Sequence, residues 1–395
     1  MSDRIAITGF GVKAAGGENN MHLLDTLLTG KTAFELYSGY APRGKNVALG
    51  LVKGSLGEWD EREYAFLPRF VKLALASTQE ALALSGRIVD PRRCGLFFGT
   101  SLGGTHDLEA TALLTRDSRF RDIPTHVCGL VNYHSASSAV SHYFDLPGIT
   151  KTVVTGCTSG LEALQDAIVY MKAGMIDRAV VGGTDRAICT SIVHCFSKTR
   201  SLPLGNDIEA CALPFSTDSK GFVISEGACT IMIEHESEAL RRGARIYGFI
   251  DAIHSNNDGR NINGMDDSGQ AIHATMAEAA AGRKPDYINS QALGSRTNDA
   301  IEYRNAQELY ANEVKVTTIK GIIGHSFASS GLVQMAASLL SFEHQFIPGI
   351  YRTNMKGYES LNVQLETEAN IPVKEVLITA HGYGGNNVSA YLMKQ

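Results

Sequence analysis

One cysteine lies in a segment whose residue types and spacing are typical of a nucleophile. Cys157 follows a predicted strand, precedes a predicted helix and is flanked by Gly156 and Gly160 in residues 155–160. Backbone N–H groups and the helix dipole converge on such a position, which favours thiolate over thiol. The same N–H groups can stabilise the oxyanion formed when a thioester is attacked. The pattern predicts an acyl-accepting cysteine, with a buried thiol in a tight turn as the alternative.

His325 has the same setting in the second part of the chain. A predicted strand over residues 314–319 leads through Gly324 and His325 into a predicted helix, as residues 152–155 lead through Cys157 into another. Apolar residues at spacings of three and four predict one buried stripe on each helix, comprising Leu161, Leu164, Ile168 and Met171 in the first and Leu332, Met335 and Leu339 in the second. We therefore predict two similar halves, residues 1–243 and 244–395, with the two reactive residues facing each other.

Short apolar, β-branched segments alternate with helical patterns along the whole chain. Such segments cover residues 4–9, 95–99, 152–155, 179–181 and 228–233. Runs that are apolar on both faces are typical of strands buried between helices. The alternation predicts an α/β protein with buried sheets.

Five segments resemble, in order, the sequence blocks of β-ketoacyl-[acyl-carrier-protein] synthases of the thiolase superfamily. Residues 155–160 resemble T-A-C-S-S-G, and residues 320–325 resemble K-S-x-x-G-H. The remaining segments are residues 214–227 (P-F-D-x-x-R-D-G-F-V-x-G-E-G), 287–302 (Y-V-N-A-H-G-T-G-T-x-x-G-D-P-I-E) and 381–387 (S-F-G-F-G-G-T-N). The resemblance covers essentially the whole chain and implies a thiolase-like fold, with two similar α/β halves in a five-layered α-β-α-β-α arrangement.

The resemblance implies an acyltransferase of the 3-oxoacyl-carrier-protein synthase type. Cys157 takes an acyl chain from a carrier-protein thioester, and His325 helps to decarboxylate a malonyl thioester whose carbanion attacks the acyl-enzyme. A neutral His325 can donate its N–H to the thioester oxygen as negative charge develops there. Lys320 and Glu302 match family positions of a supporting polar network that orients His325, with a salt bridge between them as the alternative.

The family's entrance residues also find matches in this chain. Tyr383 matches the gate aromatic of the glycine-rich loop, and Gly384 gives that loop freedom to move. Phe196 lies near the acyl-pocket position of relatives, where it would limit chain length or simply pack in the core. Arg69 and Lys72, on a predicted helix, match basic contacts to an acidic carrier protein, with a solvated helix face as the alternative.

The chain departs from the family at the first catalytic histidine. The H-G-T-G-T block reads Gln-Ala-Leu-Gly-Ser here, so Gln291 stands where the family has histidine. A glutamine amide can donate a hydrogen bond to an oxyanion but exchanges no proton near neutral pH. Acylation of Cys157 is expected to survive this change, whereas decarboxylative condensation is the step that it puts in question.

Three functions are compatible with a Cys–Gln–His triad. The first is a condensing enzyme of fatty acid or type II polyketide synthesis in which Gln291 replaces the histidine as donor. The second is a non-elongating ketosynthase that only loads and passes acyl chains. The third is a chain-length-factor-like partner of a ketosynthase heterodimer, against which the retention of Cys157 weighs.

Composition and residue spacing argue against nucleic-acid binding, disulfides and a metal site. The 395 residues are 44% hydrophobic and 19% charged with a formal net charge of -5, which argues against binding of nucleic acid through its phosphates. Seven cysteines without a C-x-x-C pair and histidines without H-E-x-x-H predict neither disulfides nor a metal site. We expect a soluble cytoplasmic protein without a membrane span or cofactor. The acyl chain arrives on the phosphopantetheine of the carrier, and the expected assembly is a homodimer or a heterodimer with a second ketosynthase-like chain.

Overall fold

The computed structural model describes residues 3–86, 88 and 90–395. Within these residues the chain forms fifteen strands: β1 (Ile5–Ala14), β2 (Glu35–Tyr37), β3 (Val47–Gly50), β4 (Cys94–Gly99), β5 (Thr150–Val153), β6 (Arg178–Asp185), β7 (Ile224–Ser225), β8 (Gly227–His235), β9 (Gly248–Asn257), β10 (Tyr287–Asn289), β11 (Lys315–Thr317), β12 (Phe346–Ile347), β13 (Glu368–Ala369), β14 (Glu375–His381) and β15 (Asn386–Met393).

The same described residues form twelve α-helices: α1 (Asn20–Thr29), α2 (Arg69–Ser85), α3 (Thr105–Arg116), α4 (Val127–Leu130), α5 (Ser135–Tyr143), α6 (Ser159–Lys172), α7 (Thr190–Lys198), α8 (Glu236–Arg241), α9 (Gln270–Ala280), α10 (Arg296–Tyr310), α11 (Lys320–Ile323) and α12 (Ser330–His344). None of the helices described is both long and apolar enough to cross a membrane.

The main sheet repeats one strand order twice. Its ten strands, as far as the structure describes the chain, run β11-β10-β14-β15-β9-β1-β8-β6-β4-β5. Counted along the chain, the strands of each half lie in the order first, fifth, fourth, second, third from the centre outwards. The pairings also repeat, with two antiparallel pairs next to the centre and two parallel pairs further out. The predicted repeat of element order is therefore present in the structure.

The two halves join through a short antiparallel pairing. Ile5, Ala6 and Ile7 of β1 pair with Ile250, Phe249 and Gly248 of β9. The boundary predicted between residues 243 and 244 falls between α8 and β9. The division of the chain into two separate units at that point stays a prediction.

Helices and sheet form five layers. The central helices α6 and α12 pack between the two halves of the sheet in one core that includes Val181 of β6 and Ile378 of β14. On the outer face of the first half, α2 and α5 cover Val180 of β6. On the outer face of the second half, α9 and α10 cover Leu377 of β14. Neighbouring strand residues thus point into different cores, as the alternation of side chains along a strand requires.

The central helices differ in how completely they are buried. In α6 the four predicted stripe residues are buried while Gln165 and Val169 are not, so the prediction of one buried stripe is confirmed. In α12 every residue from Ser330 to Phe342 is buried. The expected single stripe is wrong there because α12 lies in the middle layer and meets protein on all sides. Its small polar residues bond within the helix, as Ser338 and Ser341 do with carbonyl groups four residues earlier.

Candidate active site

Cys157 lies in the turn between the third strand of the first half and the central helix α6. The turn spans Gly156–Thr158, and φ of Gly156 is 73°, in the left-handed region that favours glycine. Burial, the largest influence, and then Asp185 raise the pKa of the Cys157 thiol to about 12, against smaller lowering effects of Lys320 and the cysteine's own backbone. The expectation of a stabilised thiolate is therefore wrong for the resting site, which holds a thiol.

His325 occupies the corresponding connection of the second half, between β11 and α12. Its Nε2 lies 3.1 Å from Sγ of Cys157. Burial, followed by Lys320 and His381, lowers the pKa of His325 well below its usual range, so the imidazole is neutral. Since Cys157 is a thiol, its S–H donates to Nε2, and the ring proton resides on Nδ1. That Nδ1 is buried and has no hydrogen-bond partner among the described residues.

Lys320 is fully buried, and its charge acts on both Cys157 and His325. Its Nζ donates to Oε1 of Gln334 at 2.8 Å and to the carbonyl of Ser290 at 3.3 Å. Burial lowers the pKa of Lys320 to about 7, although Glu302 and Cys157 act in the opposite direction. Lys320 and Glu302 belong to one polar network, in which they meet through Ser290 and not in the salt bridge given as the alternative. Within the described residues no hydrogen bond of this network reaches the His325 ring, so its role in orienting His325 stays a prediction.

Glu302 joins two segments of backbone next to the site. Its carboxylate accepts hydrogen bonds from Oγ of Ser290 at 2.7 Å, from Oγ1 of Thr379 at 2.9 Å and from Nε2 of His381 at 2.9 Å. Burial would raise the pKa of Glu302, but the hydrogen bond and charge of His381, with the two hydroxyl groups, hold it below its usual value. Glu302 is therefore an ionised carboxylate that fixes the ends of β10 and β14 to each other.

Gln291 follows Ser290 and is almost fully buried. Its backbone N–H donates to Thr379, and its side-chain Nε2 donates to the carbonyl of His381 at 3.1 Å. Its Oε1 has no hydrogen-bond partner among the described residues. The amide thus turns one N–H towards protein backbone and leaves a buried acceptor unpaired.

A narrow apolar pocket connects these groups. Its lining residues include Cys157, Gln291, His325 and His381. The cavity volume is only about 40 Å³, enough for a few water molecules and too small for an acyl chain. Gly382 closes one wall, because a Cβ atom there would lie 3.4 Å from Sγ of Cys157. Entry of a substrate therefore requires side chains of the wall to move.

The predicted gate residues form the outer wall of this pocket. Tyr383 is half-exposed, stacks against Phe196 with ring centroids 6.3 Å apart, and shares a hydrogen bond with Ser201 through its hydroxyl group. Phe196, on α7, also packs against Phe222 and Phe327 beside His325. The backbone N–H of Gly384 bonds to the loop after β9 at Gly264. These residues lie together at the mouth of the cysteine pocket.

A wide polar cleft lies outside Tyr383. Its volume is about 720 Å³, and three exposed cations, Arg200, Lys220 and Arg296, lie along it. Tyr383 and Met265 line both this cleft and the cysteine pocket. The cleft therefore leads from the surface to the pocket of Cys157, with Tyr383 between them.

Arg69 and Lys72 lie on α2 and are not among the residues that line this cleft. The Arg69 guanidinium binds the buried carboxylate of Glu226 through Nε at 3.0 Å and through Nη2 at 2.8 Å, and it also donates to the carbonyl of Val52. Arg186 lies 3.5 Å from the same carboxylate. This internal ion pair weighs against Arg69 as a carrier contact, which stays an untested prediction. Lys72 is half-buried on α2, and its contact stays a prediction.

Three residues of the site were not predicted from the sequence. Asp185 accepts N–H groups from Leu102 and Ala328, and burial raises its pKa to about 6. Gln334 donates to carbonyl groups at the ends of β10 and β14, and its signal was a lone amide in an apolar helical segment. His381 is the third, and its signal was a histidine in a block where the family loop carries phenylalanine.

Comparison with known proteins gives consistent matches along the chain. Residues 2–239 match the family model described as "Beta-ketoacyl synthase, N-terminal domain", and residues 247–354 match "Beta-ketoacyl synthase, C-terminal domain". The granaticin polyketide putative beta-ketoacyl synthase 1 of Streptomyces violaceoruber is 30% identical over 98% of this chain and 97% of its own length. The tetracenomycin polyketide synthase ketoacyl synthase alpha subunit of Streptomyces glaucescens is 30% identical over 99% and 97%.

Solved structures match over the full length. One is a type II polyketide synthase acyl-carrier protein in complex with its ketosynthase bound to the hexaketide, with a TM-score of 0.90, 21% identity and 100% coverage of both chains. Another, the ishigamide ketosynthase/chain length factor, has a TM-score of 0.89 and 21% identity and covers 100% of this chain and 99% of that chain. At this identity the likeness concerns the fold, and it confirms the predicted thiolase-like architecture.

Proposed function

The chain belongs to the β-ketoacyl synthase family, and from that premise we propose that it is a condensing acyltransferase. It takes an acyl chain from a carrier-protein thioester onto Cys157 and joins it to a malonyl unit in fatty acid or type II polyketide synthesis. The observation that carries the proposal is the 3.1 Å contact between Sγ of Cys157 and Nε2 of His325. A thiol held against a neutral imidazole is a nucleophile paired with its base.

The acylation step follows from the resting protonation states. His325 accepts the thiol proton as Cys157 attacks the thioester carbonyl carbon. The carbon–sulfur bond to the carrier then breaks, and the proton passes to the departing thiolate. Because the pKa of Cys157 is about 12, little thiolate exists without the base, and attack depends on His325. This arrangement confines reactivity to the moment when a thioester lies in the pocket.

Delivery by an acidic carrier protein fits the outer cleft. An acyl-phosphopantetheine arm is long and polar, and its phosphate and the acidic carrier both favour a positive entrance. Arg200, Arg296 and Lys220, the last paired with Asp207, line the cleft together with the acidic Asp267, and the cleft ends at Tyr383. Movement of Tyr383 away from Phe196 would open the path to Cys157. The reaction needs no resident cofactor, since the acyl group arrives as a thioester.

A second ketosynthase-like chain is the partner that the surface favours. Within the described part of the chain, β5 pairs with β4 on one side only, and α3 has no buried residue. Leu108, Leu113 and Phe120 on and near α3 are exposed. An open strand edge beside exposed apolar side chains is typical of a surface covered by another chain. A copy of this chain and a chain-length-factor-like subunit both have the required architecture.

Two alternatives predict different chemistry. A non-elongating ketosynthase is favoured by Gln291, a pocket residue that exchanges no proton and whose Oε1 has no hydrogen-bond partner within the described part of the chain. A chain-length-factor-like subunit is favoured by structural neighbours described as ketosynthase/chain length factor pairs. The retained contact of Cys157 with His325 weighs against a subunit without catalysis.

Intact-protein mass spectra test the proposal. The protein is incubated with acyl-carrier-protein thioesters of several chain lengths, with Cys157→Ala as the control. We expect the mass of one acyl group on the wild type and none on the variant. No acyl mass on wild type with any donor contradicts the proposed function and favours a partner subunit.

A further inference from the structure

We propose that His381, paired with Glu302, is a further catalytic residue of this chain and supplies the imidazole N–H that Gln291 does not. The proposal rests on the proposed function and concerns its second half-reaction, the decarboxylation of the malonyl thioester. It places the hydrogen-bond donor for the enolate oxygen at the end of β14. The resemblance to the family places no functional residue there.

His381 is one of the residues that line the proposed reaction pocket, with Cys157 and Gln291. It is completely buried, and its ring contacts Met265, which lines the same pocket. The next residue, Gly382, lies against Cys157, with the ideal Cβ position 3.4 Å from Sγ. His381 is thus one residue away from the backbone that contacts the nucleophile.

Both ring nitrogens of His381 face groups that only accept hydrogen bonds. Nε2 lies 2.9 Å from Oε1 of Glu302, which is ionised, and Nδ1 lies 3.2 Å from Sδ of Met265. A thioether sulfur has lone pairs and no proton. Since Nε2 donates to Glu302, the Nδ1 contact is a hydrogen bond in the imidazolium form of His381, which carries a proton on both nitrogens beside the ionised carboxylate. The arrangement therefore presents an N–H on the side of the ring that faces Met265.

Met265 covers that N–H with a movable side chain. Methionine has three rotatable side-chain bonds and only a weak acceptor in its sulfur. Met265 lines both the outer cleft and the cysteine pocket, so an arriving thioester passes it. Displacement of Sδ by a thioester oxygen exchanges a weak acceptor for a strong one, at the moment when the donor is needed.

Gln291 is poorly arranged for the same task. One of its two amide N–H groups is bound to the carbonyl of His381, and its buried Oε1 has no hydrogen-bond partner among the described residues, so an oxyanion beside this amide would meet an acceptor as well as the remaining N–H. A reversed amide would place Oε1 against that carbonyl, so the observed orientation is the favourable one. Gln291 therefore holds the backbone of His381 by a hydrogen bond. It does not replace the missing histidine as a donor to the enolate oxygen.

The sequence shows the corresponding exchange. In the family blocks quoted above, histidine stands at the position of Gln291 and phenylalanine at the position of His381. In this chain the histidine is absent from the first position and present at the second, and both positions line one pocket. This chain thus has its histidine at the second of these two pocket positions and not at the first.

His381 stabilises the enolate that decarboxylation produces. The bond between the α-carbon and the carboxylate carbon of the malonyl thioester breaks, and carbon dioxide leaves. The electron pair forms an enolate, whose oxygen accepts the Nδ1–H hydrogen bond of His381. The enolate carbon then attacks the acyl carbonyl on Cys157, the new carbon–carbon bond forms, and the cysteine sulfur departs as thiolate to be reprotonated.

The test measures two half-reactions on the same variants of the full chain. Acylation of Cys157 is followed by intact mass, and carbon dioxide release is followed with malonyl-carrier-protein thioester. We expect the ratio of carbon dioxide release to acylation to fall on the order of 10²-fold in His381→Phe. His381→Gln, which keeps an N–H towards Glu302, is expected to show the same fall, and His344→Gln on the exposed end of α12 none.

A rescue variant separates catalysis from structure. Gln291→His combined with His381→Phe restores the family arrangement, and we expect it to regain carbon dioxide release lost in His381→Phe alone. An unchanged ratio in both His381 variants, no rescue, or wild-type protein that acylates but releases no carbon dioxide overturns the inference. Failure of wild-type Cys157 to acylate instead overturns the proposed function, so the two failures are distinguishable.

Discussion

Nε2 of His325 and Sγ of Cys157 are 3.1 Å apart although 168 positions separate them in the chain. Each residue lies between the third strand of its half and a central helix, β5 and α6 for the cysteine and β11 and α12 for the histidine. Because the halves share one strand order and face each other across α6 and α12, the two connections meet. The internal repeat thus brings the proposed nucleophile and its proposed base together from equivalent positions.

The first prediction concerns the pH dependence of acylation. The pKa of His325 is depressed well below its usual value, so the neutral base persists as the pH falls through about 6.5, where an ordinary histidine is half protonated. We expect the single-turnover acylation rate, measured by mass spectrometry, to stay constant between about pH 6 and 8. His325→Ala is expected to slow acylation on the order of 10²-fold or more. A loss of half the wild-type rate near pH 6.5 contradicts this account of the base.

The second prediction concerns the stability contributed by Lys320. Its pKa is about 7 in the folded protein and near 10.5 when unfolded, so the unfolded chain binds the extra proton between these values. The free energy of unfolding is therefore expected to rise from about pH 7 towards 10.5, by up to a few kcal/mol. Chemical denaturation should show this rise for wild type and for Lys45→Met, an exposed control, and should show it reduced in Lys320→Met. Identical pH profiles for all three proteins would mean that Lys320 is charged when buried.

We predict that Arg69 contributes to stability and that Arg296 contributes to carrier binding. Arg69→Gln removes the closest partner of the buried Glu226 carboxylate and is expected to cost about 1–3 kcal/mol of unfolding free energy. Its affinity for carrier protein should be unchanged, because the guanidinium is committed internally.

Arg296→Glu is the matched comparison, since Arg296 is exposed at the outer cleft. We expect weaker carrier binding, with a difference from wild type that shrinks as salt is added. Titration calorimetry at two salt concentrations measures both variants. If Arg69→Gln weakens carrier binding and Arg296→Glu does not, the carrier contacts α2 and not the outer cleft.

We predict that the site requires glycine at position 382, because a side chain there would crowd Cys157. An added Cβ would lie 3.2 Å from Cβ and 3.4 Å from Sγ of Cys157, closer than comfortable packing allows, so the cysteine must shift. We expect Gly382→Ala to slow acylation about tenfold or more with little loss of stability. Gly129→Ala, where a Cβ meets open space, serves as the control and should acylate normally.

The sequence was sufficient for the parts of the protein that follow local pattern. Alternation of apolar strands and helices predicted the α/β architecture, and the spacing of Leu161, Leu164, Ile168 and Met171 predicted the buried face of α6. The resemblance of the five sequence blocks to the family predicted the thiolase-like fold. The strand-to-helix connections predicted where Cys157 and His325 stand, and the structure brings them into contact.

Other features depend on contacts between distant segments. Arg69 lies 157 positions from Glu226, so its helical position gave no sign of an internal partner. The pKa of Cys157 is set by burial that only the assembled halves create, which outweighs the turn and helix dipole that favoured thiolate. His381 meets Glu302 across 79 positions. Local patterns carry no information about such pairs.

Chain extension by the acylated protein tests the central proposal most directly. Protein carrying an acyl group on Cys157 is mixed with malonyl-carrier protein, and the carrier product is identified by its mass, with Cys157→Ala as the control. We predict a β-ketoacyl chain on the carrier, longer than the starting acyl group by the two carbons of the malonyl unit after loss of carbon dioxide. Transfer of the acyl chain unchanged to a free carrier, with malonyl-carrier protein left intact, would contradict a condensing enzyme and identify a non-elongating acyltransferase.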